Sequence, residues 1–435
     1  MSDSVISGCP HTSATAATAA GAPVVLDGNA RDLHGEATAL RALGAAPATV
    51  LPGGIPARTI TDPGLARRLL SSSRVSKDAH RHWPEWIEGR VPADWELVTW
   101  VAVRNALSAY GDEHRRLRKA LGPGFTHRRV KAFAEPITAI TTQLLDDLAA
   151  TALAEPGGEV DLRDRFAWIL PLQVANLLLG VPEQLHDGFR KHIGSLFDTS
   201  LTPEESASEA AAVYGLLNDL VTLKSESPGD DVTSDLIASH RAGDLTEQEL
   251  LDSLLLLIGA GHETTVNLIG SLVINLLNNP EQLAALTSGS AEWTDAIEES
   301  LRHQAPIATI IPRFAVEDFT DEETGESFRA GEMIAVNYAA INRDPGTHGE
   351  DAHEFDITRE TRGDHMAFGH GVHYCLGAPL ARLEVSIALP ALFARFPELA
   401  PAYGPEGPAP LPSIISNGPL TLPVRLGRPA EAPAD

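Results

Sequence analysis

At 435 residues with 43% hydrophobic content, the chain is long enough to bury a large core. Its 59 acidic and 33 basic residues give a net charge of −26, which argues against general affinity for nucleic acid or for an anionic membrane surface. The two cysteines, Cys9 and Cys375, argue against a disulfide framework and favour a reducing compartment, so we expect a cytoplasmic protein.

The two ends of the chain differ in composition from the rest. Residues 1–24 are rich in Ala, Thr and Ser, and they lack the basic n-region and the continuous apolar core of a signal peptide. We therefore expect a disordered leader, in which Cys9 has only His11 beside it, too little for a metal site. Residues 427–435 are rich in Pro and Ala, which predicts a mobile tail.

The first regular elements are expected soon after the leader. A short helix over residues 33–43 is followed by two strands, 49–51 and 57–61, which flank a Pro-Gly-Gly turn. Asp62 then stands where a helix N-cap belongs, with Pro63 at the first helical position. The sequence thus opens with a small helix and sheet unit.

A dense run of charged residues, 111–119, opens another helix. On its own such a run is typical of a solvated charged face. His114 and Arg118 are four residues apart, however, so they share one face of that helix. From residue 134 to about 223, the pattern predicts a series of amphipathic helices broken at prolines.

The longest helical stretch, Thr246 to Asn278, opens with a capping box of Thr246 and Glu249 and ends before Pro280. Its apolar flanks allow a membrane span as an alternative, but the central sequence Ala-Gly-His-Glu-Thr-Thr at 260–265 would be costly at bilayer depth. Buried polar residues at a helix centre indicate a functional site, whereas the plain structural alternative is a kink satisfied internally.

Three further features follow the long helix. Glu299 and Arg302 are three residues apart, a spacing that also occurs on many exposed helices. A strand is expected over 307–313, and alternating residues up to 336 predict a small strand-rich patch. The Asn-Gly pair at 417–418 predicts the turn of a β-hairpin.

The stretch 368–377, Phe-Gly-His-Gly-Val-His-Tyr-Cys-Leu-Gly, surrounds Cys375 with residues that suit a buried metal ligand. Its glycines, Gly369, Gly371 and Gly377, allow sharp backbone turns, and the helical pattern that follows would place the sulfur near a helix N-terminus, where an anion is favoured. Two plainer alternatives remain. One is a structural free cysteine, and the other is a zinc site made of His365, His370, His373 and Cys375.

This stretch resembles the haem-ligating signature of the cytochrome P450 superfamily, on Phe368, Gly369, Gly371, His373, Cys375 and Gly377. The His/Arg helix, the acid/alcohol helix centre, Glu-x-x-Arg and a strand arginine, Arg313, precede the loop in that family's order. The chain as a whole is similar to soluble actinobacterial members. The resemblance implies a mainly α fold with a small β region, the cytochrome P450 fold, in one haem-thiolate monooxygenase domain over residues 25–426.

The resemblance also implies a cofactor and roles for individual residues. The cofactor would be haem b, iron protoporphyrin IX, with Cys375 as the proximal iron ligand. Haem-binding roles fall on His114, Arg118, Arg313, Phe368, Gly369, His373 and Gly377. Proton delivery falls on Glu263 and Thr264, and a buried structural ion pair on Glu299 and Arg302. Pocket positions would be Leu256, Ala260, Ala308, Thr309, Ile310 and Ile415. The four tryptophans of residues 75–100 either belong to a segment that closes over substrate or are anchors of an ordinary surface loop.

The implied activity is O₂-dependent hydroxylation of an unactivated C–H in a mainly apolar small molecule, such as a steroid, a macrolide or another secondary metabolite. No flavin or iron–sulfur motif is present, so we expect electrons from a ferredoxin and its reductase. Arg115, Arg116 and Lys119 are candidates for docking an acidic ferredoxin. The alternatives are a peroxygenase that uses H₂O₂ and a haem sensor without enzymatic activity.

Overall fold

The structure, a computed structural model, describes residues 22–92, 95, 97–155, 157–194 and 201–430. Most of the predicted leader, including Cys9, and the last residues of the predicted tail lie outside the described residues. The preceding tail residues contact the body of the protein, since Ala430 donates its N–H to the carbonyl of Arg395 at 2.8 Å.

Helices dominate the described part of the chain, which confirms the expected fold class. The α-helices are α1 (Leu33–Leu43), α2 (Pro63–Ser71), α3 (Ala79–His82), α4 (Pro84–Ile87), α5 (Thr99–Ala102), α6 (Gly111–Leu121), α7 (His127–Ala132), α8 (Ala134–Ala154), α9 (Ile169–Leu179), α10 (Glu183–His192), α11 (Pro203–Glu226), α12 (Val232–Arg241), α13 (Glu247–Asn278), α14 (Pro280–Thr287), α15 (Trp293–His303), α16 (Tyr338–Ile341), α17 (Pro345–His348) and α18 (Ala378–Arg395).

Three small sheets accompany the helices in the described ranges. The strands are β1 (Val24–Val25), β2 (Ala48–Leu51), β3 (Ile55–Ile60), β4 (Val75–Ser76), β5 (Glu159–Asp161), β6 (Thr309–Ala315), β7 (Phe319–Thr320), β8 (Ser327–Phe328), β9 (Met333–Asn337), β10 (Ala400–Pro401) and β11 (Pro423–Arg425). The largest sheet has the order β1-β2-β3-β9-β6-β4, and the others are β10-β11-β5 and β7-β8. The largest sheet therefore joins the four N-terminal strands to β6 and β9, which follow α15.

Local sequence signals explain where several helices begin. Asp62 caps α2 by accepting the N–H of Leu65 at 2.6 Å, with Pro63 at the first position. Thr246 and Glu249 form the predicted capping box of α13. Both predictions are confirmed. They could be made from the sequence because each contact joins residues within one helical turn.

Helix α13 is the central element of the helical region. It is 32 residues long and buried along most of its length, against α9, α11, α15 and α18. The apolar flanks that allowed a membrane span are thus the surfaces that pack against other helices. Among the described residues, no helix is long and apolar enough to cross a membrane.

Buried tryptophans anchor the tryptophan-rich segment in the core, which argues against an ordinary surface loop. Trp83 and Trp95 are 2% and 3% exposed, and their ring centroids are 5.7 Å apart. Trp83 also stacks on Phe314 of β6 at 5.4 Å. These contacts attach the segment between α2 and α6 to the largest sheet.

The prediction that Asn417 and Gly418 form the turn of a β-hairpin is wrong. Neither Asn417 nor Gly418 has the positive φ that such a turn requires. The chain instead reverses around Ser413, whose hydroxyl accepts the N–H groups of Ile415 and Ser416 at 3.2 and 3.0 Å. Gly418 is needed for a different reason, because a Cβ there would lie 2.5 Å from Cγ of Asn267 on α13.

Candidate active site

The cysteine loop is folded by two glycines and one backbone hydrogen bond. Gly369 and Gly371 have φ of +73° and +70°, a region that L side chains avoid. The N–H of Cys375 donates to the carbonyl of Phe368 at 2.9 Å and closes the loop. Gly377 has φ of −81°, so the expected sharp turn at this glycine is wrong, and Gly377 serves instead as the N-cap of α18.

The sulfur of Cys375 lies at the start of α18, as expected from the sequence. Burial raises the pKa of the thiol, and the backbone N–H groups of Gly377 and Ala378 oppose this rise, as do Arg118 and Arg382. The protein alone therefore offers partial stabilisation of a thiolate. A metal cation bound at the sulfur would supply the rest, since a coordinating thiol is deprotonated.

The zinc alternative finds no support in the geometry. Within the described ranges, no group of three or more His, Cys, Asp or Glu side chains could hold a metal ion. His365 is hydrogen-bonded to Glu298 at 3.0 Å, and the ring of His373 packs on that of His114 with centroids 4.0 Å apart. Of the proposed zinc ligands, His365 and His373 therefore have other partners, and Cys375 stays a candidate for binding a metal without a cluster of further side-chain ligands among the described residues.

The predicted basic residues converge on the cysteine loop from separate elements. Arg118 on α6 donates to the carbonyl of Tyr374 at 3.0 Å, and His114 lies one turn earlier against His373. Burial lowers the pKa of His114 to about 4, with further lowering by Arg118, so its imidazole is neutral at pH 7. Its buried Nε2 has no hydrogen-bond partner among the described residues.

Arg313 brings a second unsatisfied group to the same place. The residue lies on β6 beside the hydroxyl of Tyr338 and is 4% exposed. Its buried Nη1 meets no acceptor in the described part of the chain. Buried polar nitrogens without partners are rare in native proteins. The donor set, a thiol with basic nitrogens around it, fits an iron porphyrin whose acidic side chains would accept from these nitrogens.

One basic residue in this cluster was not predicted. Lys77 follows β4 and is 3% exposed, and its charge adds to the lowering of the pKa of His114 and His373 that burial causes. Lysine carries no sequence signal for burial, because lysines are almost always exposed. Only its position next to a strand that pairs with β6 could have suggested the location.

The centre of α13 forms an open notch in a buried helix. Ala260 and Gly261 are exposed, while the residues that flank them are largely buried, and a Cβ at Gly261 would meet nothing within 4 Å. The hydroxyl of Thr264 donates to the carbonyl of Ala260 at 2.7 Å, one turn back, as expected. The hydroxyl oxygen can therefore still accept a hydrogen bond from a group in the notch.

Glu263 is buried and paired with a residue that was not predicted. Its carboxylate accepts a hydrogen bond from Nη2 of Arg163 at 3.0 Å, and the two side chains are 4% and 13% exposed. Arg163 belongs to a π-helical turn, Arg163–Ala167, and its guanidinium also lies 5.1 Å from the ring centroid of Trp168. Burial raises the pKa of Glu263, and Arg163 opposes that rise.

The predicted pocket residues divide into two groups. Leu256, Ala260 and Ile310 are at least partly accessible, whereas Thr309 and Ile415 are 2% and 4% exposed. Ala308 is wrong as a lining residue, because its side chain is fully buried among alanines of α1 and α16. It supports the wall through its backbone, donating its N–H to the carbonyl of Ile415 at 2.7 Å.

Glu299 and Arg302 form the buried pair that was expected. Two hydrogen bonds of 2.7 Å join them, and both side chains are fully buried. Arg302 also donates to the carbonyls of Asn342, Ala352 and Glu354, while Glu299 accepts the N–H of Asp356 at 2.9 Å. The pair therefore holds the segment upstream of the cysteine loop.

The proposed docking residues are not equally free. Arg116 is paired with the buried Glu249 of α13, so it connects α6 to α13. Arg115 is 71% exposed and paired with Asp112, and Lys119 is exposed. Beside the cysteine loop, Val372 and Tyr374 are 64% and 44% exposed.

Comparisons with known proteins agree with this geometry. The cytochrome P450 family model matches residues 293–416, which include Glu299, Arg313 and Cys375. The 2-hydroxy-5-methyl-1-naphthoate 7-hydroxylase of Streptomyces carzinostaticus is 37% identical, over 94% of this chain and 98% of that protein. Two solved structures cover nearly the whole chain. CYP154A1 from Streptomyces coelicolor A3(2) has a TM-score of 0.85 and 46% identity, over 93% of this chain and 100% of that one.

The second structure is a testosterone-bound CYP154C4 from Streptomyces sp. ATCC 11861, with a TM-score of 0.88 and 41% identity, over 94% of this chain and 100% of that one. A cysteine loop and an α13 notch of this type, in a chain that matches a named hydroxylase over 98% of its length, indicate a haem-thiolate enzyme. The chain therefore belongs to the cytochrome P450 family and is a monooxygenase.

Proposed function

We propose that this P450 holds haem b within a single domain, residues 25–426, and hydroxylates an unactivated C–H bond of a mainly apolar small molecule. One observation carries the proposal. The Cys375 sulfur shares its site with basic nitrogens of His114 and Arg313 that are buried and have no acceptor among the described residues. Iron protoporphyrin IX would supply both a metal for the thiolate and carboxylates for these nitrogens. Two cysteines in the whole sequence support a cytoplasmic location.

Haem bound through a thiolate supplies the oxygen chemistry: two electrons and two protons release one atom of O₂ as water, and the other atom enters the C–H bond. The chain sets the conditions. Cys375 would bind the iron, with the N–H groups of Gly377 and Ala378 directed at the sulfur. Arg118, His114 and Arg313 would hold the carboxylates, and Phe368, Gly369 and His373 shape the loop around the sulfur. A fixed loop would keep the sulfur at the iron.

Proton supply is assigned to the notch of α13. Thr264 commits its hydroxyl proton to Ala260, so its oxygen can accept a proton donor's hydrogen bond near the reacting oxygen. Glu263 is tied to Arg163, and opening that ion pair would leave a buried carboxyl that takes up a proton readily. Glu263 would then carry the proton from the Arg163 side of α13 to the Thr264 side.

The substrate is assigned to the class of steroids, macrolides and similar secondary metabolites. Leu256, Ala260 and Ile310 give the accessible wall an apolar character, with Thr309 and Ile415 behind it. A small residue at Ala260 leaves room for a bulky ring system. The matched proteins support this class, since one is named for a naphthoate and another was solved with testosterone bound.

A ferredoxin with its reductase is the proposed electron source. Val372 and Tyr374 form an exposed patch beside Cys375, and Arg115 and Lys119 lie on α6, the helix that contacts this loop. Positive charge near an apolar patch suits an acidic carrier, despite the net charge of −26. We expect an Arg115→Gln/Lys119→Gln double variant to accept electrons more slowly and to bind substrate unchanged, and a matched Lys131→Gln variant to behave as wild type.

The test is turnover under ¹⁸O₂ with NADPH, a ferredoxin and its reductase, against a panel of steroids and macrolides. The panel is first screened by the shift of the haem absorption band on substrate binding. Mass spectrometry of the product should show one ¹⁸O atom per molecule. Product without ¹⁸O, or the same product with H₂O₂ alone at equal rate, would contradict O₂-dependent monooxygenation and favour the peroxygenase.

A further inference from the structure

Lys77 directly follows β4, a strand that pairs with the strand of Arg313. Strands β4 and β6 are antiparallel, with Val75 opposite Ala315 and Ser76 opposite Phe314. The next position in this register sets Lys77 against Arg313. Both residues are almost completely buried, at 3% and 4% exposure.

Burial, and then the charge of Arg313, lower the pKa of Lys77, so a charged ammonium at this position needs an anion beside it. Like charges on directly opposed strand positions destabilise a sheet, and an unpaired buried charge is costly. The Lys77 ammonium and Arg313 Nη1 each find no acceptor in the part of the chain that the structure describes. Asp78, the adjacent carboxylate, is turned toward Arg81, with 4.0 Å between their nearest atoms.

Two observations place Lys77 near the other basic groups. The register of β4 and β6 brings it to Arg313, and its charge acts on His114 of α6, whose ring packs on that of His373 in the cysteine loop with centroids 4.0 Å apart. Three separate elements therefore bring basic nitrogens to one place, and Lys77 adds a fourth. The neighbouring backbone is well fixed, because Trp83 stacks on Phe314, the residue beside Arg313.

We propose that Lys77 binds a haem propionate directly and is an anchoring residue for the cofactor alongside Arg313 and His114. This assignment rests on the proposed haem b, whose two propionates are its only carboxylates. It also gives the segment between β4 and α6 a direct link to the cofactor, since Lys77 lies at the start of that segment. Lys77 is a positioning residue and takes no part in the oxygen chemistry.

The test is the rate at which the purified holoprotein loses haem to an excess of apomyoglobin. Lys77→Met keeps the length and removes the charge, and Lys131→Met is the matched control on the exposed face of α7. Loss of a charge-assisted hydrogen bond should speed haem transfer about tenfold or more in Lys77→Met. Lys131→Met should equal the wild type. Because Cys375 is untouched, the reduced CO complex of Lys77→Met should keep the wild-type band position.

A Lys77→Met protein that transfers haem at the wild-type rate would overturn the proposal. Replacing a lysine that is buried but does not contact haem with an apolar residue stabilises the protein, so it would not speed haem loss. If Lys77→Met does not accumulate, a crystal structure of the wild-type holoprotein decides instead. The ammonium within hydrogen-bond distance of a propionate oxygen supports the proposal, and an ammonium bonded elsewhere overturns it. A wild-type protein that holds no haem would contradict the proposed function itself, which separates the two failures.

Discussion

The Nη2 atom of Arg163 donates a hydrogen bond to Oε1 of Glu263 at 3.0 Å, between a π-helical turn and the centre of α13. The two residues are 100 positions apart in sequence. Their pairing links the buried acid at the notch of α13 to the π-helical turn that carries Arg163. Because both side chains are nearly buried, the strength of this pair should affect both stability and proton supply.

Arg163→Met should destabilise the holoprotein by about 3–5 kcal/mol near neutral pH, because it leaves a buried carboxylate without a cation. The pKa of Glu263 is already raised by burial, and loss of Arg163 raises it further. The folded variant then holds a proton that the unfolded chain has released, so its stability falls as pH rises. The deficit relative to wild type, measured by denaturant unfolding, should be smaller at pH 5 than at pH 8.

The matched control for this prediction is the double variant Arg163→Met/Glu263→Gln, which removes both charges. Its stability should recover much of the loss, and the pH dependence specific to Arg163→Met should vanish. An Arg163→Met deficit of equal size at both pH values would show that the pair has no titrating partner in Glu263.

Thr264→Ala should uncouple electron consumption from hydroxylation. The variant lacks the hydroxyl oxygen at the notch, and proton delivery by a positioned group accelerates a reaction by a factor of about 100 or more. Product formed per NADPH should therefore fall by about tenfold or more, with H₂O₂ released instead. Thr264→Ser keeps the hydroxyl and should retain most of the coupling. Unchanged coupling in Thr264→Ala would remove Thr264 from the proton path.

Arg302→Met should destabilise the protein by about 3–5 kcal/mol, because the fully buried Glu299 would keep only Arg359, at 3.5 Å, as a cation and three carbonyls would lose their donor. Arg115→Met is the surface control, since its partner Asp112 is 94% exposed, and such pairs are worth about 0–1 kcal/mol. Denaturant unfolding of the two variants measures the difference. Equal stability of both variants would contradict a structural role for Arg302.

Gly371→Ala should sharply reduce the yield of haem-loaded protein. A Cβ there would lie 3.0 Å from the carbonyl carbon of Leu70 and closer still to its oxygen, at a φ of +70° that alanine avoids. Gly363→Ala is the matched control, because its Cβ would meet nothing within 4 Å and its φ is not positive. The ratio of haem absorbance to protein absorbance measures both. A normal ratio in Gly371→Ala would show that the loop can shift away from α2.

The features that could be predicted from the sequence are those whose residues lie close together along the chain. The capping box of α13, the turn glycines at 369 and 371 and the pair of His114 and Arg118 each lie within a few residues of one another. Arg163 and Lys77 were missed because their importance depends on partners far along the chain. Lys77 meets Arg313 only through the pairing of β4 with β6.

Two local rules gave wrong results because tertiary contacts override them. The Asn-Gly pair is a strong turn signal, yet Gly418 is required by the approach of Asn267 and has no positive φ. Gly377 follows the cysteine and suits a sharp turn, yet it continues directly into α18. In both cases glycine permits a close approach or a helix start that the sequence alone does not distinguish from a turn.

The central claim is that Cys375 binds haem iron as a thiolate, and the CO difference spectrum of the dithionite-reduced protein tests it most directly. The wild-type protein should show the strongly red-shifted Soret band of a thiolate-ligated haem, and Cys375→Ala should lose it. Absence of haem from the purified wild-type protein, or an unchanged band in Cys375→Ala, would contradict the assignment of Cys375 as the iron ligand.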